Sequence, residues 1–458
     1  METYVIGGYV RDSLLQRGKP KDIDIVTVGS GIVLAKALAQ ELGVKKVNIF
    51  KNYGTAQFRY RQWDIELVGA RRESYRTDSR KPLVEDGTLE DDQNRRDFTI
   101  NALALCLNSE RYGELLDPFN GSEDLQNGII RTPLEPGITF SDDPLRMLRA
   151  VRFATQLHFS IAPHCREALR QNAQRLKIIS RERITDELHK IMAAPKPSIG
   201  IILLYQSGLL GQFLPEVENL RGVEEIDGQS HKDNFYHTAQ VVDNVAARSD
   251  SLWLRYAALF HDIGKPITKK FVKPTGWTFH NHEFVGAKMV YRIFKRLKFP
   301  LGEPLKYVQK IVRLSSRPIA VSEDTATDSA ARRLLFEAGP DLEDLMILAE
   351  SDITTRNKRK KAQFLENFAE VRRRLQQVEE KDHIRNFQPP VSGGDIMNSF
   401  NLAPGPHIGR LKEAIKEAIL EGQLPNNREA ALQYMWQKGK EMGLESAAQN
   451  NTKNEKIK

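Results

Sequence analysis

Two cysteines in 458 residues are too few for a disulfide framework. Cys106 and Cys165, set in apolar or helical surroundings, read as reduced small hydrophobes rather than as a bridge or a metal pair. Long apolar runs are missing too: none approaches the roughly 20 residues that a membrane-spanning helix needs, so no membrane partner is expected. The opening Met1-Glu-Thr-Tyr-Val-Ile-Gly-Gly8 lacks a basic lead and is too short in apolar residues for a secretory signal, which makes the cytoplasm the expected compartment. Internal repeats are absent, and stacked-repeat architectures are excluded with them. What is present is the balance of a soluble globular chain, 40% apolar and 28% charged, long enough for several domains. Its formal charge of +8 suits a polyanionic partner.

The N-terminal part alternates β-rich runs with helical patterns, which predicts a small α/β domain. Strands are expected at Thr3–Ile6, Ile23–Val28, Val47–Phe50, Ala56–Arg61 and Asp64–Val68, and helices at Val10–Gln16 and Ile32–Leu42. Between Arg71 and Thr88 the chain is polar and broken by proline and glycine, the composition of a mobile loop. From Asp142 onward the pattern is almost wholly helical, with breaks at Ala194-Pro-Lys-Pro197, Leu214-Pro215, Lys273-Pro-Thr-Gly276, Phe299-Pro300 and Gln388-Pro-Pro390. The expected fold class is therefore α+β: a small α/β head at residues 1–135, then an all-α remainder divided at 136–220, 221–370 and 371–445. Arg356 to Glu380, dense in charge, reads as a solvated helix face, and the polar residues 446–458 read as a disordered tail.

Gly7-Gly8 follows a strand and opens a helix, which places free backbone amides and a helix N-terminus where an anion could sit. In Lys21-Asp-Ile-Asp-Ile25, strand alternation throws Asp22 and Asp24 onto one face and sends Ile23 and Ile25 into the core. Two carboxylates on one face repel each other unless a cation joins them. Beside a phosphate-binding turn, such a pair suits magnesium and metal-assisted nucleotidyl transfer. A third carboxylate would complete a two-metal site; Glu66 is the candidate and Asp64, on the same strand face, its rival. In Asn94-Arg-Arg-Asp-Phe-Thr-Ile-Asn101 two cations stand beside an acid and an amide, suited to a triphosphate and to ribose hydroxyls. Further on, Asp143 before Pro144 is an ordinary helix N-cap. Arg146, Arg149 and Arg152, next to an apolar stripe of Leu145, Leu148 and Val151, call for an anionic partner or open water.

Gly7-Gly8-x-x-Arg11-Asp12, Asp22-x-Asp24, Arg95-Arg-Asp-Phe-Thr-Ile-Asn-Ala102, Asp117-Pro-x-Asn-Gly121 with Asp124 and Arg131, and Asp143-Pro-x-Arg-x-Leu-Arg-Ala150 resemble, in order, the motifs of bacterial class II tRNA nucleotidyltransferases. The resemblance runs on through Glu182-Arg183 and Glu187-Leu188. It implies a polymerase-β-like nucleotidyltransferase head followed by an all-α neck, body and tail. The activity it implies is addition of CCA to the tRNA 3′ end without a nucleic-acid template, using CTP twice and then ATP. Asp22 and Asp24 would hold Mg2+ and, with Glu66, form the catalytic set. Arg11 and Arg96 would steady the triphosphate beside Gly7 and Gly8, Asp97 and Asn101 the ribose, and Asp143 with Arg146 the base; Arg149 is expected in the same nucleotide site. Cytosine and adenine both present an amino donor beside a ring acceptor on the Watson–Crick edge. A carboxylate next to an arginine, three residues apart on one helical face, therefore matches C or A only. The family usually has Glu-Asp where this chain has Asp142-Asp143. Relatives usually carry a helix before the first strand, so the resemblance implies either an initiation site upstream of Met1 or, with the start at Met1, a less stable head.

In the helical part His237, His261-Asp262 within Leu259-Phe-His-Asp-Ile-Gly-Lys265, and Asp352 resemble the HD phosphohydrolase signature, with His280 and His282 as further candidates. Imidazoles and carboxylates on successive helices can hold a transition-metal ion that activates water against a phosphoester. Near the end, Pro389-Pro-Val-Ser-Gly-Gly-Asp-Ile-Met397 and Pro404-Gly-Pro-x-Ile-Gly-Arg-Leu-Lys412 resemble the family's tRNA-holding tail. There Gly405, Gly409, Arg410 and Lys412 could meet a backbone phosphate, or the segment is an ordinary turn between helices. Partial addition of CC or A alone stays open. So does a poly(A) polymerase, against which stands Tyr53-Gly-Thr-Ala-Gln-Phe58 in place of a basic strand. From another class, the chain could be an HD metallophosphohydrolase with a vestigial head.

Overall fold

In the computed structural model, residues 1–444 are described apart from 19–20, 52–53, 77–78, 231–232, 323–326, 356 and 386; of 73–76, 79–83 and 229–230 only the backbone is described. The tail 446–458 lies outside these residues, as do Tyr53 and Arg356. The chain forms two compact units, one of residues 1–222 with 293–299 and one of residues 223–292 with 300–458.

Besides a short parallel pair, Ile129–Ile130 with Ser160–Ile161, the strands of the first unit are, in chain order, β1 (Thr3–Ile6), β2 (Asp22–Thr27), β3 (Asn48–Phe50), β4 (Thr55–Tyr60), β5 (Trp63–Gly69), β6 (Arg71–Arg76), β7 (Ser79–Asp86), β8 (Ala104–Cys106) and β9 (Leu115–Leu116). Seven of them make one sheet in the order β3-β4-β5-β2-β1-β8-β9. Within this sheet only β2 and β5 pair in parallel, the chain passing between them through α2 (Gly31–Glu41), β3 and β4, while the other neighbouring strands run antiparallel. Alternation along β1 and β2 sends Tyr4, Ile6 and Val26 into a core cluster with Ala70, Leu89, Ala104 and Cys106. Both cysteines are free and buried, as their apolar neighbours suggested. At Gly31 helix and sheet approach so closely that a Cβ would stand 2.6 Å from the Val68 carbonyl carbon.

The segment read as a mobile loop is instead a two-stranded ribbon, β6 paired with β7, with a register irregularity between Ser74 and Arg76. Its sequence carries no apolar alternation because the ribbon has two edges and adds no strand to the main sheet. Pro82 is tolerated in β7 for the same reason, since an edge strand has backbone groups that need no ladder partner.

Helices follow: α1 (Gly8–Leu14) between β1 and β2, then after α2 come α3 (Leu89–Asn94), α4 (Gly121–Asn127), α5 (Pro136–Asp142), α6 (Leu145–Leu157), α7 (Pro163–Asn172), α8 (Arg181–Met192) and α9 (Pro197–Gln206). Proline opens α5, α7 and α9 at the first helical position, where its missing N–H costs nothing. The second unit is helical with two short ribbons, Glu225–Ile226 with Gln229–Ser230 and Lys270–Val272 with Gly276–Thr278. No helix among the described residues is long and apolar enough to cross a membrane.

Candidate active site and HD cluster

Parallel pairing of β2 with β5 sets Asp22 opposite Asp64 and Asp24 opposite Glu66. Paired residues of a sheet share a face, so four carboxylates stand on one side of two adjacent strands. Asp24 and Glu66 line a cavity of about 340 Å³ together with Phe50, Arg71, Arg95 and Arg96. Burial raises the Asp24 pKa, with Arg96 opposing the rise and Asp22 adding to it. Burial and the neighbouring Asp24 likewise raise Glu66, against Arg71. Two acids that burial and mutual repulsion both hold back from ionising are a donor set that fits a divalent cation, which would relieve both penalties at once. Asp64 does not line the cavity whereas Glu66 does, which favours Glu66 over its rival.

Gly7 bends the chain from β1 into α1 with φ of 81°. A Cβ there would lie 3.0 Å from Arg96 Nη1 and 3.6 Å from Asp24 Oδ2, so only glycine leaves the acid, the arginine and the turn together. Arg11 on α1 clamps Asp12 with two donors at 2.8 Å and gives Nη1 to Asn101 Oδ1, also at 2.8 Å. Asn101 in turn donates to Asp97 Oδ1 at 3.0 Å, and Arg149 on α6 closes the line on Asp97 Oδ2 at 2.6 Å. Burial works against the charge on Asp97, but Arg149, Asn101 and Arg146 outweigh it and bring its pKa down to about 2. The Phe153 ring lies under Arg11, Arg149 and Arg152, whose guanidinium carbons sit 4.9, 5.5 and 4.2 Å from its centroid.

The three arginines of α6 separate in role. Arg152 faces inward to Glu187 on α8 at 3.1 Å, a buried pair that ties two helices together. Arg149 holds Asp97, and Arg146 Nη2 donates to the Arg95 carbonyl at 2.5 Å. Asp143 caps α6 as its position suggested, its Oδ1 accepting from the Leu145 amide at 3.2 Å. No ion pair joins Asp143 to Arg146 among the described residues. Burial raises the pKa of Asp142, and Arg146 and Arg175 oppose that rise, which puts this acid within electrostatic reach of Arg146.

Sequence reasoning missed Asp92. It is fully buried on α3, accepts from Arg95 and, at 3.1 Å, from Arg96, and these two cations overcome burial to hold its pKa below the usual carboxylate value. The i,i+3 and i,i+4 spacing to Arg95 and Arg96 was the available signal. The Asp117-to-Gly121 motif is a folding device: Asp117 accepts from the Gly121 amide at 2.6 Å and the Ser122 amide at 2.9 Å, while Asn120 adopts φ of 55°. It seats α4 against Thr99, which donates to Asp124 at 2.7 Å, and so steadies the turn that carries Asn101.

In the second unit the helix Asn234–Ala246 supplies His237, the end of Leu252–Phe260 supplies His261 and Asp262, and Asp352 follows Leu342–Ser351. One ligand atom each of His237, His261 and Asp352 fall within 4.8 Å of one another. His237 Nε2 is 2.7 Å from Asp352 Oδ1, His261 Nε2 is 3.4 Å from Asp262 and from Asp352, and His282 Nε2 is 3.6 Å from Asp262. Each imidazole is fixed from behind through Nδ1: His261 to the Ala258 carbonyl at 2.7 Å, His282 to that of Phe279 at 2.9 Å, His237 to Thr354 Oγ1 at 2.9 Å. That leaves the three Nε2 atoms aimed at the carboxylates, the arrangement that ligating histidines need. Buried His261 Nε2 and Asp352 Oδ1 lack an aligned hydrogen-bond partner, so the donor set fits a metal ion. Of the two further candidates, His282 stands outside that triad but turns Nε2 to Asp262, and His280 is exposed. In the C-terminal segment Gly405, Gly409 and Arg410 are exposed at the start of the helix Pro406–Leu420 and Lys412 is half-buried.

Acids on paired strands beside a glycine turn, with arginines across the cavity and an HD cluster in a separate unit, define a nucleotidyltransferase with an HD domain. The Poly A polymerase head domain matches residues 3–131, the probable RNA and SrmB-binding site of polymerase A residues 158–220, and the HD domain residues 234–357. The chain is 35% identical to the A-adding tRNA nucleotidyltransferase of Deinococcus radiodurans over 75% of its own length and 78% of the relative's. It is 31% identical to the CC-adding tRNA nucleotidyltransferase of Thermus thermophilus, over 96% and 95%. Its fold is that of the Bacillus stearothermophilus CCA-adding enzyme solved with CTP, at a TM-score of 0.67 and 24% identity over 96% of this chain and 94% of that one. A tRNA nucleotidyltransferase solved with a primer tRNA and an ATP analogue aligns with a TM-score of 0.55 and 26% identity over 81% and 96%. The chain belongs to the class II tRNA nucleotidyltransferases, the family of the CCA-adding enzymes.

Proposed function

We propose that the protein adds CCA to the 3′ end of tRNA in the cytoplasm, selecting CTP twice and then ATP without a nucleic-acid template. The observation that carries the reading is the register Asp24 opposite Glu66, which puts two repelling acids on one cavity wall with Arg96 across from them. Asp22 and Asp24 would hold Mg2+, with Glu66 as the third carboxylate. The ions, when bound, lower the pKa of the attacking 3′-hydroxyl and neutralise charge on the departing pyrophosphate. Arg96 and Arg11 steady the triphosphate beside the Gly7 turn. Asn101 meets the ribose, and Asp97, with its oxygens engaged by Asn101, Phe98 and Arg149, serves the nucleotide by holding those groups in place. Asp143 accepts from the base amino group and Arg146 donates to the ring nitrogen. Asp142, shorter than the family's usual glutamate, is near enough to aid that arginine. We read residues 1–135 as the catalytic head, 136–220 as neck and body, 221–370 as the HD domain and 371–445 as the tRNA-holding tail.

Relatives that add only A or only CC favour one second reading, partial addition. Purified protein given tRNA transcripts ending at the discriminator base, at C and at CC separates the two. Extension of all three to CCA supports the proposal; extension only of the transcript ending in CC, or a stop at CC, assigns the partial activity.

A further inference from the structure

The helix Lys358–Asp382 changes character along its length. Its second half packs on the unit through Phe368, Val371, Leu375 and Val378, and every arginine there has an acid. Arg372 meets Glu343 at 2.6 Å and Glu350 at 2.8 Å, Arg374 meets Asp328 at 2.9 Å, and Arg373 pairs with Glu370. The first turn is the reverse: Lys358, Arg359, Lys360 and Lys361 are all exposed, and none forms an ion pair among the described residues. The positions that could answer them three and four residues on are Lys361, Ala362, Gln363, Phe364 and Leu365, with no carboxylate among them. Phe364 and Leu365 are themselves 47% and 43% exposed.

Four cations at a helix N-terminus oppose the helix dipole, and the first turn holds no acid to offset them. Stability alone would put aspartate or glutamate there. The turn starts six residues after Asp352, whose cluster partner His237 bonds Thr354, and six residues reach at most about 20 Å. A bare cationic turn, an exposed ring able to stack on a base, and a metal-fitting cluster within that reach share one complementary chemistry, a chain of phosphates carrying bases.

We infer that Lys358, Arg359, Lys360 and Lys361 dock the phosphate backbone of an RNA whose phosphorylated 3′ end is presented to the HD cluster. The inference rests on reading that cluster as a metal-dependent phosphohydrolase. In the reaction, water forms the new bond to phosphorus and the bond from phosphorus to the ribose oxygen breaks. That oxygen takes up a proton, and inorganic phosphate and an RNA hydroxyl are released. The basic turn raises the efficiency of an oligomer over a mononucleotide bearing the same phosphate.

The test replaces all four residues (Lys358→Gln, Arg359→Gln, Lys360→Gln, Lys361→Gln), a change that keeps helix propensity. With Mn2+ present, kcat/KM is measured for a short RNA 3′-phosphate and for adenosine 3′-phosphate, in the full-length wild type, the variant and His237→Ala. The ratio of the two values is expected to fall about tenfold or more in the variant. The dependence of the oligomer's log(kcat/KM) on log salt should flatten by up to about 2.8, roughly 0.7 for each of four contacts. An unchanged ratio and slope in the variant overturn the docking surface alone. Absence of hydrolysis of either substrate by the wild type, with His237→Ala no different, overturns the phosphohydrolase reading and the inference with it.

Discussion

Replacing Asp97 by asparagine keeps its shape and removes its charge, and the structure gives the size of the effect. In the folded chain Asp97 sits at about 2 instead of 3.8. At about 1.36 kcal/mol per pH unit, that difference makes about 2 kcal/mol of stability. Arg149 keeps 34% of its side chain in water, so its release from Asp97 adds less than the ~3–5 kcal/mol of a fully buried broken pair. The folded value is depressed, so the contribution is complete above the unfolded value of 3.8 and is lost as pH falls through about 2, with about half remaining at pH 3. Urea unfolding of wild type and Asp97→Asn should therefore differ by about 2 kcal/mol at pH 7 and by about half of that at pH 3. Incorporation of both CTP and ATP should fall in the same variant, because Asn101 and Arg149 lose their common anchor. A difference under about 1 kcal/mol at pH 7, or one that does not narrow at pH 3, would refute the reasoning.

Glu66→Gln removes one of two repelling acids, so it should raise the melting temperature of the metal-free protein while lowering nucleotidyl transfer roughly 100-fold or more; melting curves and steady-state kinetics read the two effects separately. Arg146→Ala should admit UTP and GTP by removing about 1–3 kcal/mol of discrimination, about 5–150-fold, measured as the ratio of kcat/KM values for right and wrong nucleotides. Gly121→Ala would place a Cβ 2.4 Å from the Thr99 carbonyl oxygen, and the shift it forces should cost about 1–3 kcal/mol in chemical denaturation and weaken nucleotide binding through the Asn101 turn.

Alternation in Lys21-Asp-Ile-Asp-Ile25 was enough to set Asp22 and Asp24 on one face, because a strand's period of two is a local property. Choosing between Glu66 and Asp64 needed the pairing of β2 with β5, which brings together residues more than forty apart in the chain. The ribbon β6–β7 was illegible for a related reason: its order comes from backbone pairing of two strands outside the main sheet, and its polar sequence carries no hydrophobic pattern. Asp143 was legible as a cap. That Arg152 belongs to Glu187 and Arg149 to Asp97 was not, since three arginines at equal spacing differ only in what the fold sets against them. His261-Asp262 announced the HD cluster, whereas the choice of His282 over His280 waited on which imidazole turned inward.

The measurement that tests the account most directly is extension of a tRNA transcript ending at the discriminator base, with magnesium, CTP and ATP, resolved at single-nucleotide steps for wild type and Asp24→Ala. The account predicts two C additions and one A by the wild type, and none by Asp24→Ala, with both proteins folded by circular dichroism. No extension by the wild type, or equal extension by Asp24→Ala, would contradict it.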